Sequence, residues 1–180
     1  MSLLLIGLDE ALMPALIARL IAQGDEVRVL EDDDEAADGW RALGAHIASG
    51  PRWDEDLIER AAQNVRTIVL GERHEQDPAE LIAAVVVGGG FAARDMRIVM
   101  VADKPNPEIL RIVGDSGLDY VSLVVPSRRG LRGKRRVLAP DSLAEAVDAA
   151  DDLAGSPKLE LDLSDELAWQ ELKLNPPTPP

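Results

Sequence analysis

Short apolar runs alternate with helical segments along almost the whole chain, and this alternation limits the possible folds more than any other feature. A continuous apolar run stands at residues 3–6, and further apolar-rich strand candidates stand at 27–30, 65–70, 98–101 and 120–125, with a weaker one at 45–48. A strand that is apolar without alternation is covered on both faces, as in a parallel sheet. Between the first two runs, Met13, Leu16, Ile17, Leu20 and Ile21 fall on one helical face. Pro14 suits the first turn, where its missing N–H costs nothing, and Gly24 closes the helix. Ala36, Trp40 and Leu43 mark a second helix ended by Gly44, and Leu57, Ile58 and Ala61 a third, capped by Asp54. Asp77-Pro78-Ala79-Glu80 reads as a cap, a first-turn proline and a capping-box acid. The helix it opens meets Gly88-Gly89-Gly90, three residues expected to end or fray it. Asn106-Pro107 opens a fifth helix. Asp141 is expected to cap a sixth, with Leu143, Ala146, Val147 and Ala150 on one face. Leu159, Leu161 and Leu163 alternate with charges, as in a half-exposed edge strand.

This order reads as right-handed βαβ crossovers in a mostly parallel sheet: an α/β, Rossmann-like, doubly wound fold with three α/β/α layers. Any ligand then lies at the carboxyl ends of the strands, near the switch point beside the first strand. The chain of 180 residues suits one such domain over residues 1–165. Residues 166–180 form a tail whose proline-rich end is expected to be disordered.

Composition narrows the chemistry. There is no cysteine, which excludes disulfides, thiolate metal sites and a cysteine nucleophile. The two histidines, His46 and His74, are too scattered for a histidine metal cluster. A net charge of −14 argues against a surface that binds nucleic acid or anionic membrane broadly. No apolar run reaches the ~20 residues needed to span a bilayer. No basic region precedes the first apolar stretch, so a secretory signal is not expected and the cytoplasm is the expected location.

Three phrases resemble the NAD(P)H-binding, NmrA-like group of atypical short-chain dehydrogenases/reductases. Gly24-Asp25-Glu26-Val27-Arg28-Val29-Leu30 is similar to the end of that family's first helix and its second strand. Leu43-Gly44-Ala45-His46-Ile47 resembles the approach to its third strand. Ser116-Gly117-Leu118-Asp119-Tyr120-Val121, followed by Pro126, resembles its sixth. The resemblance implies NAD or NADP as cofactor. It places cofactor-binding positions at Gly7, Leu8, Glu10 and Leu12 in the first loop, Glu31 after the second strand, Gly50 after the third and Pro126 after the sixth.

The phosphate loop departs from the family pattern. Gly7 matches the first glycine, but Glu10 and Met13 stand where the second and third belong. The second glycine lets the backbone approach a pyrophosphate and the third lets the helix pack closely on the strand. Asp9 and Glu10 add negative charge there. Two unit charges ~4 Å apart repel by ~4 kcal/mol at an effective dielectric of about 20. A helix N-terminus favours anions, but first-turn carboxylates of the chain itself can satisfy it. Glu31 suits the ribose hydroxyls of NAD and repels the 2′-phosphate of NADP, although it also opens the acidic run Glu31-Asp32-Asp33-Asp34-Glu35 of a solvated helix start. At Ser49-Gly50-Pro51 the glycine of the family's Gly-Asp is present and the acid is not.

The family's catalytic Tyr-x-x-x-Lys is absent, since the one tyrosine, Tyr120, has Val124 four residues on. This removes the usual proton donor for carbonyl reduction, and no catalytic residue is assigned. Asp103, Lys104 and His74 sit in loops at strand ends, where surface roles are the simpler reading. One basic stretch breaks the acidic character: Arg128, Arg129, Arg132, Lys134, Arg135 and Arg136. Arg128, Arg129, Arg132 and Arg135 are the expected anion-binding residues, for a small anionic ligand or an acidic partner. No aromatic residue interleaves with them, which disfavours nucleic acid. Three functions stay open: a non-catalytic regulatory, sensor or scaffold protein with an eroded phosphate loop; an NAD(P)H-dependent oxidoreductase or epimerase; and an acidic interaction protein that uses its basic loop.

Overall fold

The structure is a computed structural model that describes residues 2–71, 78–92, 96–104, 106–125, 139–153 and 158–163. In chain order the elements are β1 (Ser2–Ile6), α1 (Met13–Ala22), β2 (Glu26–Glu31), α2 (Asp34–Ala42), β3 (His46–Ser49), α3 (Glu55–Ala61), β4 (Thr67–Gly71), α4 (Pro78–Ala92), β5 (Arg97–Ala102), α5 (Pro107–Ser116), β6 (Asp119–Val124), α6 (Pro140–Asp151) and β7 (Lys158–Asp162). The seven strands form one sheet in the order β3-β2-β1-β4-β5-β6-β7. Every pairing is parallel. The expected Rossmann-like α/β fold is therefore present, and the order reverses between β1 and β4.

The apolar strands are covered on both faces, as their unbroken hydrophobicity requires. Leu3 and Leu5 face a core shared with α1, Trp40 of α2 and the Ala144, Ala146, Val147 and Ala150 of α6. Leu4 and Ile6 face the opposite core, with Ile58 of α3, Leu81, Ile82 and Val85 of α4, and Ile109 and Val113 of α5. At the far edge β7 alternates exposed and half-buried residues, as its sequence suggests.

Three expectations are corrected. First, α4 runs through the glycine triplet to Ala92. A Cβ on Gly88 would lie 2.7 Å from the Glu55 carbonyl oxygen, and one on Gly89 would meet Met96 and stand 3.1 Å from Ile68 Cδ1. The glycines let α4 approach α3 and the sheet, and that packing outweighs a propensity cost of ~1 kcal/mol per glycine. Second, α6 begins at Pro140 behind Ala139, which contributes no side-chain cap, so Asp141 lies in the first turn instead of capping it. Third, not every crossover is right-handed. The connections through α1 to α5 share one hand, the right-handed one of nearly all such units. β7 is added in the same direction as β5 and β6, yet α6 lies on the face of α1. The last crossover thus has the opposite hand.

Polar contacts hold α6 in that place. Arg19 of α1 donates to Asp148 Oδ2 at 2.8 Å, and Gln23 donates to the same oxygen at 2.9 Å. Asp151, whose side chain is 2% exposed, accepts from Arg66 and from the Thr67 hydroxyl at the start of β4. Arg97 donates to the Ala150 and Asp151 carbonyls at 3.1 and 2.6 Å. These guanidinium groups meet the negative end of the helix dipole. No helix among the described residues is long and apolar enough to cross a membrane.

Candidate functional site

The carboxyl ends of β1 and β2, the start of α2 and the loop after β3 enclose a cavity of about 750 Å³. It is bordered by Glu10, Glu31, Asp32, Asp33, Glu35 and Arg52, over core residues Leu5, Met13, Val29 and Trp40 that are themselves almost wholly buried. This is the switch-point location expected of a doubly wound sheet.

Gly7 leaves β1 with φ of 62°, a left-handed turn that favours glycine. A Cβ on Gly71, at the end of β4, would collide with the Gly7 carbonyl, so the first loop lies tight against the neighbouring strand. Leu8 borders the cavity and packs partly on the α1 core. Asp9 organises the turn that follows. Its carbonyl accepts from the N–H groups of Leu12 and Met13 at 2.8 and 3.1 Å, and its Oδ1 accepts from Ala11 N–H at 2.8 Å. The chain's own carboxylate therefore holds one of the amides that this loop presents ahead of α1. Glu10 is exposed and borders the cavity. Leu12 is 2% exposed, with its side chain in the core and not on the cavity wall. Met13, at the third glycine position, fills the core as well and is 4% exposed.

Glu31 ends β2 at the centre of the site, with a side chain 12% exposed. Its Oε1 accepts from Arg52 at 3.1 Å and from the N–H groups of Asp32 and Asp33 at 3.1 and 3.3 Å. The Trp40 indole N–H points to Oε2 at 3.4 Å. Burial pushes the Glu31 carboxyl upward, but the Arg52 hydrogen bond, the Asp33 N–H and the nearby positive charge together hold it below its usual range. Glu31 is thus an ionised acceptor fixed by the chain's own donors. Gly50 joins the site through its backbone, donating to the Glu31 carbonyl at 3.2 Å with φ of 149°. Asp33 accepts from Ala36 N–H at 2.8 Å and caps α2, while Asp34 and Glu35 occupy its first turn.

The structure brings Gly7, Leu8, Glu10 and Glu31 to one cavity, and ties Gly50 to the backbone of Glu31. Pro126 and the basic residues Arg128, Arg129, Arg132 and Arg135 lie outside the described residues, as do His74 and the tail from residue 166. Asp103 and Lys104 are exposed at the end of β5, and Tyr120 is half-buried against the α4–α5 core. Sequence reasoning missed Arg52 and the indole N–H of Trp40. Among the described residues no group of histidines and carboxylates is arranged to hold a metal ion.

No family model matches the chain, and no curated protein matches its sequence. Solved structures do match its fold. An anaerobillin reductase from Escherichia coli O157:H7 superposes with a TM-score of 0.69 at 11% identity, over 90% of this chain and 96% of that one. The triphenylmethane reductase of Citrobacter sp., complexed with NADP(H), gives 0.69 at 14%, over 97% and 76%. The 3-ketoacyl-(acyl-carrier-protein) reductase from Brucella melitensis, complexed with NADH, gives 0.61 at 18%, over 90% and 96%. At these identities the likeness is one of architecture: the chain has the fold of the NAD(P)-binding Rossmann-like reductases.

Proposed function

We propose that this chain is a non-catalytic protein of the atypical short-chain dehydrogenase/reductase type, with a regulatory, sensor or scaffold role and a phosphate loop that no longer takes a dinucleotide well. The first loop carries this reading. Asp9 holds the Ala11 N–H, Glu10 puts a carboxylate beside the path of a pyrophosphate, and Met13 fills the place of the third glycine. Glu31 fits the same picture, because Arg52, Trp40 and two backbone amides already use its oxygens. The absence of Tyr-x-x-x-Lys supports a non-catalytic role.

A second reading, an NAD(P)H-dependent oxidoreductase or epimerase, draws support from the fold neighbours, two of which are complexed with nicotinamide cofactors. Thermal melting separates the two. A ligand at ~100 times its dissociation constant stabilises by about 2.7 kcal/mol. The expected result is no appreciable shift with NAD or NADPH at millimolar levels, and a saturable shift with either overturns the eroded-loop reading. The basic residues Arg128, Arg129, Arg132 and Arg135 are proposed as the contact for an acidic partner or small anionic ligand, by their charge alone.

A further inference from the structure

From Leu81 to Ala92, α4 carries no polar side chain. A helix that is apolar on every side is normally covered on every side. Here the cover is one-sided among the described residues. Leu81, Ile82, Ala84 and Val85 are buried and, with Gly88 and Gly89, turn toward α3, α5 and the sheet. Ala83, Val86, Val87 and Gly90 stand at i, i+3, i+4 and i+7 and form the opposite face. Val87 is 39% exposed there, and the other three are half-buried. We propose that a second copy of the chain docks on this face, about a two-fold axis that crosses α4 at right angles near Val86 and Val87. The proposal is independent of how the first loop is read.

The neighbours of α4 say why the occupant is a second copy. The helix packs between α3 and α5, so its apolar face is the middle of a three-helix layer. The flanks are charged. Asp56 and Arg60 are exposed on α3, and Arg111 and Asp115 are exposed on α5, 3.4 Å apart. An apolar centre inside a polar rim is the anatomy of a stable interface. The two-fold rotation reverses each helix and sets α3 over its own copy and α5 over its own copy. A cation and an anion four positions apart on a helix then each meet their opposite: Arg111 meets the Asp115 of the other copy, and Asp56 its Arg60. The acids Glu55 and Glu108 lie in the first turns of α3 and α5, so the reversal carries the two copies of each to opposite ends of the interface. With a net charge of −14, two copies repel over most of their surface. This face escapes that, with an uncharged centre and self-complementary flanks. Its size is adequate. The 15 residues of α4 span ~22 Å, and three helices ~9 Å apart make a face roughly 25 Å wide, so its projection of roughly 550 Å² approaches the ~800 Å² that each partner buries in a stable interface.

The test is sedimentation equilibrium of the full chain over roughly 1–100 μM, where a reversible monomer–dimer equilibrium is expected. Val87→Asp puts an unpaired charge into the apolar centre from both sides, and is expected to keep the monomer's circular dichroism while weakening the dimer about hundredfold or more. Arg111→Glu is expected to weaken it about fivefold or more. Arg111→Glu combined with Asp115→Arg is expected to restore association, because the exchanged charges again face their opposites across the axis. Should Val87→Asp fail to fold, the exposed Arg111 and Asp115 variants decide alone. A monomer at all these concentrations overturns the inference. So does a dimer that folded Val87→Asp or Arg111→Glu leaves unweakened, or a charge exchange that fails to restore it.

Discussion

Single side chains in this protein differ widely in what their loss should cost, because burial decides how much a charge is worth. Asp151 is almost wholly enclosed and accepts from Arg66 and Thr67. Asp151→Ala removes the almost wholly buried acceptor that Arg66 and Thr67 share, and should cost about 3 kcal/mol in denaturant unfolding. The pair Arg41–Asp38 on α2 is exposed at both ends, 51% and 78%. Arg41→Ala should change stability by under ~0.5 kcal/mol in the same assay. Glu31 adds a pH signature. Its folded-state carboxyl lies below the usual value, so it stabilises the fold above the unfolded glutamate pKa of about 4.3 and loses that contribution as pH falls through the lower folded value. Glu31→Gln should therefore lower stability at neutral pH and flatten the acid limb of a stability–pH curve, and an unchanged limb would refute the role assigned to Arg52. At this scale the sequence was half legible. Glu31 could be placed because it ends an obvious strand. Arg52 could not, because its partner lies 21 positions earlier and only the fold of the β3–α3 loop joins them.

Elements were more legible than their details. The five apolar-rich runs became β1, β2, β4, β5 and β6, most plainly in β1 and β4, where every residue is buried. Asp54 and Asn106 cap their helices through local hydrogen bonds, which neighbouring residues alone specify. The α4 glycines misled because propensity counts what a residue does to its own helix and ignores the room a neighbour needs. That account makes a graded prediction. A Cβ on Gly90 would have nothing within 4 Å of it, so Gly90→Ala should stabilise by ~0.5–1 kcal/mol. Gly88→Ala meets the Glu55 carbonyl at 2.7 Å and Ile58 at 3.0 Å, and should destabilise by ~1–3 kcal/mol despite the better propensity. Thermal melts of the two variants, moving in opposite directions, check the argument. Two shifts of the same sign would show that α4 does not pack as described.

For the whole molecule, the sheet order sets where stability lies. β1 and β4 sit inside the sheet with a partner on each side, whereas β3 and β7 flank its ends among the described strands. Native-state hydrogen exchange should accordingly be slowest in β1, β4 and β5 and fastest in β3 and β7. Fast exchange in β1 would contradict this arrangement. The hand of the last crossover has a consequence in time. As the chain leaves the ribosome, β1 pairs first with β2 and must wait for residue 67 before its second neighbour arrives. From β4 to β6 each new strand docks on the edge its predecessor has just offered, and strand twist guides the helix between them to its face. At α6 that guidance is reversed, so the helix must find its place by recognising surfaces already built: Arg19 and Gln23 from the first helix, Arg66, Thr67 and Arg97 from the middle strands. The final βα unit therefore proofreads the rest, since a nascent chain that has misplaced α1, β4 or β5 has no complete socket for α6 to enter.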